Sequence, residues 1–303
     1  MAYFLALDAG GTRTECWLAD GERVLARETG GTVKLMNVGE EEATARLLDL
    51  LTRTAAKASV SLHSVNRTCV GLAGISSSGV RAWAETLLAA SVGGEVLLVG
   101  DEEIALHAAF GNGPGILVIS GTGSHVVGRC SDGTRMTAGG WGPMLGDEGS
   151  GYWIGLEAIR SGLRARDRGV PTCILRDIVH FWEVDGTGGL IAKANMRPRP
   201  DFAALAIVVA QCAEQGDAIA RSVLERAGAE LAAQIDVVIS NMRASGCAEE
   251  DATRVAFTGS ILENVTPVLQ ELRSSLHRSH PHTVVQGQPV QPILGALARA
   301  RGA

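Results

Sequence analysis

The feature that most limits how this chain can fold is an internal repeat. When the sequence is shifted against itself by about 112 residues, the apolar run at 4–9 and its Gly-Gly-Thr turn lie over residues 116–124. The same shift places the Asp-Gly pair at 20–21 over the pair at 132–133. Each copy reads as a strand, a glycine and threonine turn, a second strand, an Asp-Gly turn and a third strand. The repeat therefore predicts two similar domains.

Apolar periodicity predicts the same order of elements in both copies. In the first copy, three strands, a helix, a strand, a helix and a strand are predicted at residues 3–8, 13–19, 22–27, 41–57, 68–72, 80–90 and 96–99. In the second copy, the elements are predicted at residues 115–119, 124–129, 134–138, 255–257, 265–276 and 283–285, with a long helical region inserted at 150–244.

This order predicts an α/β fold with two domains, residues 1–113 and 114–303, and a cleft between them. A closing helix is predicted at 292–301. Its packing on the first or the second domain stays open at this stage.

Composition favours small-molecule partners. The net charge is −6, and the arginines are scattered without a run, so the chain lacks the basic patch that nucleic acids or anionic membranes attract. We expect neither kind of partner. The N-terminus has no basic region followed by a long apolar core, and no apolar segment approaches the length of a membrane span. These observations predict a cytoplasmic protein.

The cysteines give no local metal motif. The six of them are far apart in the sequence and form no CxxC pair: Cys16, Cys69, Cys130, Cys173, Cys212 and Cys247. Such spacing indicates neither a zinc knuckle nor an iron–sulfur ligand set. Reduced and mostly buried thiols are the expected state.

The two glycine-rich turns are candidate phosphate sites. Glycine lets backbone N–H groups approach an anion closely, and the threonine hydroxyls add donors. An ordinary hairpin is the alternative for either turn alone, but repetition in register favours the phosphate site. The candidate nucleotide-binding residues are Gly10, Gly11, Thr12 and Arg13 in the first turn and Gly121, Thr122 and Gly123 in the second.

Two aspartates stand at predicted strand ends in the first copy. Asp8 precedes the first turn, where its carboxylate could hold Mg²⁺ or form an Asx turn. Asp101 follows the apolar run at 95–100 and precedes a helical run at 102–110. Ligands bind at the carboxyl ends of strands in open α/β sheets, so Asp101 is a candidate general base. Capping the helix is the alternative role.

The loop at 139–155 is a candidate site for binding a polar ligand. Its glycines, Gly139 and Gly140 among them, leave backbone amides accessible, and Asp147 and Glu148 can accept hydrogen bonds from vicinal hydroxyls. Trp141 is expected either to stack on the ligand or to pack in the core.

These motifs together resemble a known family. LDAGGT at 7–12, ISGTGS at 119–124, the GDEGSGYWIG block that ends at 155, and FTGS at 257–260 are similar to the N-acetylglucosamine kinase-like branch of the BadF/BadG/BcrA/BcrD-type ATPases. That family belongs to the acetate/sugar kinase, Hsp70 and actin superfamily. The resemblance implies duplicated ribonuclease H-like, actin-like ATPase domains that close on ATP and Mg²⁺. It also implies a homodimer.

The resemblance assigns roles to residues by position. Asp101 matches the catalytic base, Asp8 the magnesium site, and Thr12 and Thr122 the phosphate contacts from opposite domains. The positions that match an adenosine motif are Gly259 and Ser260. The positions that match sugar contacts are Asn37, Ser76, Asp101, Thr122, Gly139, Gly140 and Asp147. His125 stands where relatives commonly have Asn, which leaves its contribution open.

Other functions are disfavoured by missing motifs. No GxxxxGK[ST] occurs, and the first glycine turn opens a strand, which disfavours P-loop and Rossmann sites. An ATPase activator of a 2-hydroxyacyl-CoA dehydratase would need closely placed cysteines for an iron–sulfur cluster, and an actin-like or Hsp70-like switch would need no sugar loop. The sequence therefore predicts an ATP-dependent amino-sugar kinase acting on the 6-hydroxyl of N-acetylglucosamine or a close relative. Glucosamine and N-acetylmuramic acid stay open as alternative substrates.

Overall fold

The computed structural model describes residues 2–77 and 79–302. The chain divides into two compact units. The first is formed by residues 1–113 together with 290–303, and the second by residues 114–289. The C-terminal segment therefore belongs with the first unit.

The first unit is built on a five-stranded mixed sheet. Its strands are β1 (Tyr3–Ala9), β2 (Arg13–Ala19), β3 (Val24–Gly31), β4 (Val65–Leu72) and β5 (Glu95–Val99). The strand order is β3-β2-β1-β4-β5, with β1 antiparallel to β2 and parallel to β4. Its helices are α1 (Leu35–Val38), α2 (Glu40–Ala58), α3 (Val80–Ser91) and α4 (Asp101–Phe110).

The second unit repeats this sheet. Its strands are β6 (Gly115–Ser120), β7 (Ser124–Arg129), β8 (Arg135–Gly139), β9 (Arg254–Thr258) and β10 (Val284–Val285). The order is β10-β9-β6-β7-β8, which is the first sheet's topology with each strand replaced by its counterpart. The predicted α/β class and the predicted repeat of strands are confirmed.

The helical region predicted at 150–244 is divided into five helices. They are α5 (Gly151–Asp167), α6 (Ile174–Phe181), α7 (Gly186–Ala194), α8 (Ala206–Glu214) and α9 (Ala218–Ala244). The remaining helices are α10 (Ser260–Asn264), α11 (Thr266–Ser279) and α12 (Pro292–Arg301). In the described part of the chain, no helix has the length and apolar character that crossing a bilayer requires.

The sheet of the first unit is covered on both faces. Apolar residues of α2 and α3, such as Leu47 and Leu88, pack on one face together with Leu5 and Leu7. On the other face, α12 packs against Ala6 and neighbouring residues of β2 and β4. The final helix is therefore an integral part of the first unit, a point that the sequence left open.

The cysteine prediction is wrong for one pair. Cys130 and Cys247 form a disulfide across 117 residues of sequence, with their Cα atoms 5.7 Å apart. Cys130 follows β7 and Cys247 follows α9, and α9 packs against β7 and β8, which brings the two ends together. Separation along the sequence carried no information about this contact. The other four cysteines are free thiols, as expected, and three of them are buried.

The contact between α12 and α4 provides a stability test. A Cβ at Gly295 would overlap the carbonyl oxygen of Ile104 on α4. We expect Gly295→Ala to lower the free energy of unfolding by about 1–3 kcal/mol, because the two helices would have to separate. Urea unfolding followed by circular dichroism measures the change.

The matched control is the same substitution on α7. A Cβ at Gly188 would meet nothing within 4 Å. We expect Gly188→Ala to leave stability unchanged or to raise it by up to about 1 kcal/mol, because alanine favours helix. Equal effects of the two substitutions would contradict the close packing of α12 on α4.

Candidate active site

Strand register places two carboxylates at one edge of the first sheet. Asp8 of β1 is paired with Gly71 of β4, and Gly71 is paired with Val99 of β5. These three strands are parallel, so their carboxyl ends share one edge. Asp101 follows β5 by two residues and therefore lies at the same edge as Asp8.

Asp101 is the first residue of α4, and Gly100 occupies the N-cap position. The alternative that Asp101 itself caps the helix is therefore wrong. Its surroundings disfavour the charged form, since burial, followed by the charges of Glu102 and Asp8, raises the pKa of Asp101 to about 7. A carboxylate with a pKa near neutrality is suited to accept and release a proton in general acid–base chemistry.

Glu102 is a site residue that the sequence analysis missed. Its carboxylate folds back over Gly100, where any Cβ would collide with it. The Glu102 carboxylate also forms a hydrogen bond that favours the protonated form of Asp101, and this bond contributes to the raised pKa of Asp101. The position of Glu102 directly after Asp101 was the only signal of this role in the sequence.

The first glycine turn is held by its neighbours. The Gly10 amide donates to the carbonyl oxygen of Arg13 at 3.0 Å, so this amide closes the turn. The Thr32 hydroxyl donates to the Gly10 carbonyl at 2.9 Å, and the Asn37 amide donates to the Gly11 carbonyl at 3.1 Å. The short helix α1 thus brings Asn37 to the turn, whereas the side chains of Thr12 and Arg13 are exposed.

Ser76 lies on the segment that follows β4. This segment starts beside the end of β1, because the Ala73 amide donates to the Ala9 carbonyl at 2.9 Å. Ser76 itself is exposed. The first unit therefore gathers the predicted residues Asp8, Asn37, Ser76 and Asp101 around one sheet edge and its adjoining turn.

The carboxylates at this edge fit a divalent cation. Asp8 and Glu102 both raise the pKa of Asp101, so the three groups lie close enough for their charges to repel. Oxygen ligands of this kind are those that Mg²⁺ prefers, and a bound cation would relieve the repulsion.

In the second unit, the loop after β8 is docked on the second glycine turn. The Gly121 amide donates to the Gly123 carbonyl at 2.9 Å and closes the turn. The hydroxyls of Ser120 and Ser124 donate to the carbonyls of Gly149 and Glu148, each at 2.8 Å. The turn and the loop therefore form one rigid arrangement.

Asp147 is the buried acid of this arrangement. Its side chain accepts a hydrogen bond from the Gly142 amide at 3.1 Å, and a Cβ at position 123 would stand only 2.9 Å from its Oδ2. Only glycine at 123 allows the carboxylate to approach the turn. Asp147 also has a φ of 60°, a left-handed conformation that costs free energy for a residue with a side chain.

The adenosine motif lies beside the same turn. Gly259 follows β9 and occupies the N-cap position of α10, and Ser260 is the first residue of that helix. A Cβ at Gly121 would lie 3.8 Å from the amide nitrogen and the hydroxyl of Ser260. The second unit thus brings together the turn, Asp147 and Ser260.

Gly139, the last residue of β8, and Gly140, which follows it, lie next to two polar side chains. His125 Nδ1 lies next to Gly140, and Gln234 Oε1 lies next to Gly139. Within residues 2–77 and 79–302, both atoms are buried without a hydrogen-bond partner. Gln234 is on α9, far from the loop in sequence, and no sequence signal marked it.

Trp141 projects from the loop with 73% of its surface exposed. The alternative that this tryptophan packs in the core is therefore wrong. An exposed indole can cover the apolar face of a sugar or an acyl group.

Comparison with known proteins agrees with these features. An N-acetylmuramic acid/N-acetylglucosamine kinase from Clostridium acetobutylicum is 29% identical over 307 residues, with 99% of each chain covered. An N-acetyl-D-glucosamine kinase from Dictyostelium discoideum is 27% identical, with 98% of this chain and 97% of the relative covered. A solved structure from Chromobacterium violaceum, described as a candidate N-acetylglucosamine kinase, is 27% identical with a TM-score of 0.75 and 99% coverage of both chains.

The sequence profile of the BadF/BadG/BcrA/BcrD ATPase family matches residues 5–300. This match spans nearly the whole chain and includes both glycine turns, both sheets and α12 up to its last residues. The resemblance seen in the sequence motifs is confirmed, and the chain belongs to the BadF/BadG/BcrA/BcrD ATPase family.

Proposed function

We propose that this protein is an ATP-dependent amino-sugar kinase that phosphorylates the 6-hydroxyl of N-acetylglucosamine or a close relative. The observation that carries the proposal is the carboxylate of Asp101. It lies at the edge of the sheet with Asp8, and its pKa is raised to about 7 by burial and by the neighbouring negative charges. Relatives named as kinases of N-acetylglucosamine and N-acetylmuramic acid support the same reaction class.

In the proposed mechanism, Asp101 acts as the general base. It accepts the proton of the sugar hydroxyl as the hydroxyl oxygen attacks the γ-phosphorus of ATP. After product release, Asp101 gives up this proton to solvent.

The two glycine turns are proposed to bind the nucleotide. Since the amides of Gly10 and Gly121 close their own turns, phosphate contacts fall to the exposed hydroxyls of Thr12 and Thr122 and to the amides of Gly11 and Gly123. Arg13 adds a positive charge next to the first turn. Ser260, beside the second turn, is proposed to contact the adenosine.

Several polar side chains are proposed to contact the sugar. Asp147 offers a buried carboxylate for vicinal hydroxyls, and Asn37 offers an amide oxygen, because its amide nitrogen is used on the first turn. His125 Nδ1 and Gln234 Oε1 offer buried polar atoms beside Gly139 and Gly140. Ser76 is kept as a further candidate contact.

Three finer points belong to the proposal. Asp8 is proposed to hold Mg²⁺, which when bound supplies positive charge on the phosphate oxygens. A homodimer and a cytoplasmic location remain predictions from the sequence. The choice among N-acetylglucosamine, glucosamine and N-acetylmuramic acid depends on pocket shape around the N-substituent.

A coupled ADP-release assay tests the proposed reaction. We expect turnover with N-acetylglucosamine or one of its close relatives above that with glucose.

Asp101→Asn should still bind ATP and sugar while turnover falls by roughly 10² to 10⁴, because the amide cannot accept the proton. Asp49→Asn, a change of an exposed aspartate on α2, is the matched control and should behave as the parent. Absence of sugar-stimulated ADP release from the parent would refute the kinase.

The threonines of the two turns provide a second prediction. Thr12→Val and Thr122→Val each remove a hydroxyl at a proposed phosphate contact, so each should raise the KM for ATP more than the KM for the sugar. Thr52→Val, which changes an exposed threonine on α2, is the matched control. Parental ATP kinetics in both turn variants would show that these hydroxyls do not contact the nucleotide.

The pH dependence provides a third prediction. Only the ionised form of Asp101 can accept a proton, so kcat/KM, which reports the groups of the free enzyme, should rise with pH through about 7 and level off above it. Glu102→Gln removes a negative charge that raises the pKa of Asp101, so the rising limb should move to lower pH.

The neighbouring glutamate is the control for this shift. Glu103 lies next along α4 and pairs with Arg299 of α12, and it is not among the main causes of the raised pKa of Asp101. Glu103→Gln should therefore leave the limb in place. Superimposable profiles for the parent and Glu102→Gln would show that Asp101 is not the group that titrates.

A further inference from the structure

The second unit contains a cluster of metal-ligating side chains that the proposed reaction does not use. Cys173 directly precedes α6, Asp177 lies one turn into α6, and Cys212 lies on α8. Their two sulfur atoms and a carboxylate oxygen all lie within 4.8 Å of one another. The two cysteines are 39 residues apart in sequence, so their spacing did not indicate a pair.

We propose that Cys173, Asp177 and Cys212 form a binding site for a tetrahedral, thiolate-preferring divalent cation of the zinc class. The site would stabilise the helical part of the second unit. Two thiolates and one carboxylate supply three ligands, and water can complete the tetrahedron.

One distance between ligand atoms of the cluster matches the spacing around such an ion. Cys212 Sγ lies 3.4 Å from Asp177 Oδ2. Metal–sulfur and metal–oxygen bonds of about 2.3 and 2.0 Å at a tetrahedral angle give a sulfur–oxygen separation of about 3.5 Å. The two ligands therefore already stand at the spacing that one shared ion requires.

Binding of a cation at this cluster requires both cysteines to lose their protons. The hydrogen bond from Arg176 lowers the pKa of Asp177, so this carboxylate is ionised at neutral pH. Burial raises the pKa of Cys173 and of Cys212, so both are thiols in the absence of a cation. On binding, each sulfur loses its proton to solvent and gains a bond to the metal, so two protons are released per ion.

A second carboxylate fixes the orientation of the first ligand. Asp217 Oδ2 accepts hydrogen bonds from the Cys173 amide at 2.7 Å and from the Thr172 hydroxyl at 2.8 Å. Its Oδ1 caps α9 by accepting from the amides of Ile219 and Ala220. Such partners around metal ligands hold them in place before the ion arrives.

A metal ion could reach this cluster from solvent, and the other group of similar residues in the second unit is less suited to bind one. Cys173 and Asp177 are half-buried, so an ion can reach them from solvent, whereas Cys212 closes the site from within. A group of the same composition exists at Cys130, Cys247 and Asp251, but its two sulfurs are joined in the disulfide and cannot act as separate thiolates.

A bound ion would join α6 to α8. Both helices pack against α5, which begins directly after the loop that carries Asp147. The proposed role is therefore structural, and it stands independently of the kinase proposal.

Titration of the reduced full-length protein with Co²⁺ tests the site. We expect one equivalent to bind with the thiolate-to-cobalt charge-transfer absorption of a tetrahedral site, and Zn²⁺ to displace it and raise the melting temperature. Cys173→Ser and Cys212→Ser should abolish the absorption, and Asp177→Asn should weaken binding by at least about 10-fold.

Two controls make the result specific. Cys69→Ser changes a buried thiol outside the cluster and should bind Co²⁺ as the parent does. Because a reductant also opens the Cys130–Cys247 disulfide, the titration is repeated with Cys247→Ser, which should retain the absorption. Absence of thiolate absorption in the folded parent, or its loss in Cys247→Ser with survival in Cys173→Ser, would overturn the proposal.

Discussion

The parallel pairing of the central strands is the constraint on which the rest of the structure depends. Pairing of β1 with β4 fixes Asp8 opposite Gly71, and pairing of β6 with β9 fixes Ile119 opposite Thr258. Backbone hydrogen bonds set these registers, and a slip of one residue would turn every side chain to the other face. Within each sheet, strand pairing therefore places the glycine turn and the residues that follow the parallel strands at the same edge of that sheet.

Much of this arrangement could be predicted because it is encoded locally. Buried strands such as β6 are continuous apolar runs, and their turns carry glycine and threonine in a repeated order. Asp101 was recognisable because a strand and a helix meet at that residue. The four-residue helix α1 was missed, since four residues are too few to show a helical period, although it positions Asn37.

Contacts between distant segments could not be predicted in the same way. The disulfide joins Cys130 to Cys247 because α9 crosses the back of β7, and the same helix brings Gln234 to Gly139. Helical periodicity states which face of α9 is apolar, but it does not state which strand that face will cover. The interpretation of the cysteines as isolated thiols failed for this reason.

The surroundings of the two predicted acids act on different properties, namely the position of Asp147 and the ionisation of Asp101. Asp147 is held by a backbone amide and by a strained φ, so its position is fixed by the loop around it. Asp101 is controlled first by burial and then by repulsion from the charges of Glu102 and Asp8, which together disfavour its ionised form. A cation at Asp8 would offset that repulsion and lower the pKa of Asp101. The crowding of carboxylates at this edge would therefore couple binding of the proposed cation to ionisation of the proposed base.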